Sequence, residues 1–128
     1  MRSLVRMKKT KIKWLPKPQR HDYPAAQSYL SLLFPPRVAK AMVRRLENAG
    51  IGEYAAKDIF RASGLALLGS GNSHVDRYRI LIIHKQPISP ILLCRDPEHG
   101  KLIIADGYHR LCAVYTFDED AMIPCQMI

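Results

Sequence analysis

The chain has 128 residues, of which 48% are apolar and 24% charged, with three cysteines and a formal charge of +9. That length fits one domain with one core. No apolar run approaches the roughly 18 residues of a membrane span, and no signal-peptide apolar region stands near the start. A cytoplasmic location is therefore expected. Cys94, Cys112 and Cys125 form no CxxC pair and sit among apolar neighbours ("ILLC", "LCAV", "IPCQ"), so they read as reduced and buried. The His residues near them lack zinc spacing.

The charge is unevenly distributed. Residues 1–20 hold eight basic residues and no acidic one, whereas the rest is nearly balanced. This predicts a basic N-terminal arm, 1–22, ahead of a single domain, 23–128. Such an arm binds nucleic acid or acidic surfaces without specificity, or stays a solvated tail.

In chain order, Pro16, Pro18 and Pro24 keep regular structure short before Tyr23. "PAAQSYLSLLF" reads as a helix up to Phe34. "PPRVAKAMVRRLENAG" reads as a second helix, with Pro36 in its first turn, Gly50 past its end and an inward stripe of Val38, Met42 and Leu46. Arg37, Lys40, Arg44 and Arg45 fall on its other faces. "EYAAKDIFRASG" is predicted helical to Gly64, followed by a Gly/Ser/Asn loop without P-loop spacing. "HVDRYRILIIHKQ" is a predicted helix stopped by Pro87. "ISPILLC" is a strand, "DPEHG" a turn, "KLIIA" a strand, "GYHRLCAVYTF" a helix, "DEDA" a turn and "MIPCQMI" a strand with Ile123, Cys125 and Met127 inward. The expected fold class is α+β, a small mixed sheet with surrounding helices.

The joint "ADGYHR", residues 105–110, concentrates the chemistry. A strand-to-helix joint aims backbone N–H groups and a positive helix end at one spot, which suits a phosphate. Tyr108, Leu111, Cys112 and Tyr115 share a core stripe, and His109 and Arg110 fall off it in the first turn. Cations are disfavoured there by roughly 0.3–1 kcal/mol each, so a bound anion would offset the cost. Arg110 offers a planar fork to phosphate, His109 a hydrogen bond or a proton, and Gly107 close backbone approach. Asp106 reads either as an N-cap paired with Arg110 or, beside an anion, as a Mg²⁺ ligand or proton acceptor.

The stretch "ISPILLCRDPEHGKLIIADGYHRLCAVY" resembles the core of the ParB-like and sulfiredoxin-like superfamily, whose members share a Pro-Ile strand, a hairpin, a second strand and a Gly-containing joint feeding a helix. The wording at the joint is nearest to the Asp-Gly-His-His-Arg of the free serine kinases in that superfamily. Partition ParB proteins have Gly-Glu-Arg-Arg there, and sulfiredoxins have a catalytic Cys where this chain has Tyr108. The resemblance implies Asp106, Gly107, His109 and Arg110 as the equivalent residues, with Tyr108 departing from the pattern; the candidate site is therefore Gly107, Tyr108, His109 and Arg110 for nucleotide or phosphate, with Asp106 and His109 catalytic and Asp106 also a metal ligand. It implies ATP, ADP or CTP with Mg²⁺ as cofactor. The kinases add a Glu base from the N-terminal part, for which this chain offers Asp22 or Glu53.

The expected function is binding of a nucleotide or small phosphorylated ligand at this joint, with NTPase or phosphotransferase activity an open question. The alternative is a DNA-associated accessory protein, working through the basic arm and the Arg37–Arg45 helix. Expected partners follow from these two readings, with no membrane; a homodimer is left open.

Overall fold

The computed structural model describes residues 11–128, so the basic segment 1–10 lies outside the described residues. Among the described residues are α1 (Asp22–Leu33), α2 (Pro36–Asn48), β1 (Ile51–Ala55), α3 (Ala56–Ser63), α4 (Ser73–Ile83), β2 (Ile91–Asp96), β3 (Lys101–Asp106), α5 (Tyr108–Phe117) and β4 (Met122–Met127). The four strands form one mixed sheet in the order β1-β4-β2-β3. β1 and β4 pair antiparallel, β4 and β2 parallel, and β2 and β3 antiparallel. The fold is therefore α+β, and the three predicted strands share the sheet.

Period-two alternation sends β2 and β3 side chains to two cores. Ile91, Leu93 and Ile104 pack with α3, α4 and α5, while Leu92, Cys94, Ile103 and Ala105 pack with α1 and α2. Helices on both faces explain the unbroken apolar run "ILLC" at the centre of the sheet. Ile123, Cys125 and Met127 face the core as predicted, and the cover on the other face buries Pro124 and Gln126 of β4 as well. Gln126 is satisfied there: Tyr23 donates to its Oε1 at 2.6 Å, and its Nε2 donates to Ala49 O at 2.8 Å. All three cysteines are free and buried. Burial pushes the Cys94 thiol up to about 11 and the Cys125 thiol up to about 12, which keeps both unreactive.

Two local expectations are corrected. The α2 stripe is Ala39, Val43 and Leu46, with Val38 exposed and Met42 at the margin. The sequence from Ile51 to Ala55 is a strand, because its backbone groups pair with β4; only Ala56 onward is helical. That helix ends as predicted at Gly64, whose φ of 69° is the left-handed cap conformation.

The predicted arm boundary at residue 22 falls inside packed structure. Leu15 N donates to Ile88 O at 2.9 Å, and Ile88 N donates to Lys13 O at 3.0 Å. Ile12 and Trp14 pack on the core, and Asp22 is buried. A chain starting at Lys17 should therefore be less stable than one starting at Lys11, by about 2 kcal/mol for the lost Trp14 and Ile12 packing. Equal urea midpoints for the two would show that this segment contributes nothing.

Candidate functional site at the strand-helix joint

β3 ends at Asp106 and α5 begins at Tyr108, with Gly107 as the N-cap. Gly107 has φ 109°, and a Cβ on it would lie 2.4 Å from Ile91 Cγ2. Its first duty is thus to let the chain turn against Ile91. Asp106 is not the helix cap: no side chain caps α5.

Arg110 is the largest departure from the sequence reading. Expected off the core stripe, it is only 5% exposed, because α5 is covered on most of its circumference. Its Nη2 donates to Asp106 Oδ2 at 3.0 Å and to Pro90 O at 3.2 Å, and lies 3.7 Å from Asp22 Oδ2. Its guanidinium carbon stands 5.8 Å from the Tyr78 ring centroid, a cation–π contact. Nε is buried without a hydrogen-bond partner among the described residues.

Asp22 completes this cluster. Its Oδ2 accepts from Gln19 N at 3.1 Å and from the Ser89 hydroxyl. Three distant segments, 19–22, 89–90 and 106–110, are therefore tied by one buried polar network. Two carboxylates share one guanidinium. Burial raises the pKa of Asp106 above the usual carboxylate value, outweighing the attraction of Arg110, and the neighbouring Asp22 adds to the rise. Burial works against the charge of Arg110 too, but Asp106 and Asp22 together hold it firmly cationic.

The open side of the joint is a cleft of about 410 Å³, with Asp106, Gly107, Tyr108 and His109 on one wall and Tyr29 and Leu65 among its other lining residues. The Tyr108 hydroxyl donates to Ala66 O, which fixes the loop that follows α3. His109 is half-buried, and its ring lies 4.8 Å from that of His74 on α4. Burial lowers the pKa of His109 below its ordinary 6.5, and His74 and Arg77 lower it further. The folded protein thus takes up this proton more weakly than the unfolded chain. Stability should fall as pH drops through the unfolded value of 6.5 towards the lower folded one. In an NMR titration His109 should titrate below its ordinary value, and His74→Ala should move it part of the way back. A His109 that titrates at or above the ordinary value would contradict this.

The structure thus brings Asp106, Gly107, Tyr108 and His109 to the cleft wall and places Arg110 behind it. Of the two candidate bases, Asp22 reaches the joint, on the buried side. Glu53 does not: it is exposed on β1, opposite Pro124 of β4. The sequence reading missed Ser89, Tyr78, His74 and Arg77 as neighbours of the joint, and nothing in their local spacing marks them. Among the described residues, no three His, Cys, Asp or Glu side chains are grouped to hold a metal ion. With Asp106 Oδ2 turned to Arg110, the residues present do not make a Mg²⁺ site of the protein's own. No helix among the described residues is long and apolar enough to cross a membrane. No family model, curated protein or solved structure matches this chain.

Proposed function

We propose that this chain binds a phosphorylated ligand, in the first place a nucleotide, in the cleft at the start of α5. The observation that carries the reading is the make-up of the cleft wall. Gly107, Tyr108 and His109 form the first turn of α5, whose leading N–H groups have no acceptor within the helix. Those N–H groups and the positive helix end would hold the phosphate. His109, kept neutral at physiological pH, would donate or accept one hydrogen bond at the ligand. Tyr29 and Tyr108 offer aromatic faces to a base, and about 410 Å³ lies within the size range of small-molecule sites.

The resemblance to the ParB-like and sulfiredoxin-like superfamily supports the same place, with altered roles. Asp106 lies beside the ligand with its charge partly offset by Arg110, which it shares with Asp22, so it repels a phosphate less than a bare carboxylate would. Arg110 acts as a positioning residue that holds β3, α5 and α1 in register.

Thermal melts with ATP, ADP, CTP and inorganic pyrophosphate test the proposal. A ligand at 100 times its dissociation constant should stabilise by about 2.7 kcal/mol. His109→Ala should lower that gain by about 1 kcal/mol, the size of one hydrogen bond, and leave the unliganded melt within about 1 kcal/mol of the parent, as for most substitutions outside the core. The absence of any gain across the panel, or an unchanged gain in His109→Ala, would defeat the reading.

A second reading, contact with nucleic acid, is favoured by one observation: Arg37, Lys40, Arg44 and Arg45 of α2 are exposed, and none has an ion-pair partner among the described residues. It requires DNA affinity that falls steeply with salt. Salt-independent or absent binding excludes it.

A further inference from the structure

A second cleft, about 470 Å³, lies at the hairpin end of the sheet. The six residues of β3 separate that end from the joint, by about 17 Å at strand rise. Leu93 and Arg95 alternate onto the same face of β2, and their cross-strand partners are Met127 of β4 and Leu102 of β3. α3 covers this face through Ile59, but it is only eight residues long, and the hairpin end stays open. Tyr54, Leu102 and Met127 thus supply an apolar lining that opens to solvent, backed by the buried Ile59 and Leu93.

Two acidic residues, Asp58 and Asp96, and two basic ones, Arg95 and Lys101, line this cleft. Asp58 pairs with Arg61 at 3.6 Å, and Asp96 with His99 at 2.9 Å. Arg95 and Lys101 are exposed, and neither has a carboxylate within ion-pair distance among the described residues. Lys101 stands opposite Asp96 in the strand register, so the cleft combines an apolar floor with one guanidinium, Arg95, at its edge.

We propose that this cleft binds a small amphipathic carboxylate, with its apolar body on Tyr54, Leu102 and Met127 and its carboxylate on Arg95. The guanidinium fork matches a carboxylate with two parallel hydrogen bonds. The volume is that of a small-molecule site.

The test uses the full chain, octanoate as probe and octanol as its uncharged counterpart, followed by amide NMR. Octanoate should shift the amides of residues 59–62, 93–96 and 101–102, and octanol should bind more weakly. Arg95→Gln, at an exposed position that the fold does not need, should weaken octanoate about tenfold and leave octanol unchanged. Ala62→Phe, which fills the cleft, should abolish both. The proposal is overturned by any of four results: no shifts at millimolar octanoate, shifts confined to residues 106–109, equal affinity for octanol, or parental octanoate affinity in Arg95→Gln. Shifts at these residues on raising protein concentration without probe would assign the cleft to a second copy and overturn it as well. Nucleotide binding at the joint is read independently, so failure of either site leaves the other standing.

Discussion

Arg110→Ala should lower the stability of the unliganded protein by about 3–5 kcal/mol, the cost of removing one partner from a buried ion pair. The substitution leaves Asp22 and Asp106 facing each other in a buried site without their shared cation. It also deletes the hydrogen bond to Pro90 O. For a chain of this size the melting temperature should fall on the order of 10 °C or more. Asp106→Asn should behave differently. Burial already disfavours the ionised carboxylate there, and an amide oxygen still accepts from Arg110 while Asp22 remains its counter-charge. The expected change is within about 1 kcal/mol, the size of one neutral hydrogen bond. Urea unfolding of the two variants decides. A mild Arg110→Ala would mean that solvent reaches the cluster. An Asp106→Asn as damaging as Arg110→Ala would mean that the carboxylate charge, rather than the guanidinium, organises the joint.

Gly107→Ala should be the other severe change, for two reasons that add. At φ 109° an L side chain is strained, at roughly 1–2 kcal/mol. The new Cβ would also meet Ile91 Cγ2 at 2.4 Å and Ile91 Cβ at 2.8 Å, so the strand-helix joint must open. Such overpacking costs roughly 1–3 kcal/mol. Gly64→Ala isolates the first contribution: Gly64 has φ 69° and nothing within 4 Å of an added Cβ. It should lose only the strain. If the two variants unfold at the same denaturant concentration, the close packing of Gly107 on Ile91 carries no weight. Because opening the joint shifts His109, Gly107→Ala should also lose ligand-dependent stabilisation, whereas Gly64→Ala should keep it.

The sequence by itself determined most of the elements and the location of the joint. Pro36 near the start of α2, Gly64 at the end of α3, the apolar runs of β2 and β3, and the helical spacing from Tyr108 to Tyr115 are all local patterns. Hydrophobic period and turn chemistry act over a few residues, so they can be read in one dimension. β1 escaped that reading. "IGEYA" has too little alternation to declare a strand, and it becomes one because the edge of β4 offers it hydrogen-bond partners. Only the tertiary structure could decide the role of Arg110. A helical wheel assigned it to the open face, since a charged side chain is expected in water. Its burial depends on Asp22 and Ser89, brought in from the far N-terminal part and from the segment before β2. A cation leaves water only where counter-charges from other segments await it, and no local pattern can report their arrival. The same holds for His74 beside His109 and for Arg95 at the edge of the second cleft. Each residue type is plain in the sequence, and its surroundings are fixed by which helix the sheet brings, or fails to bring, over it.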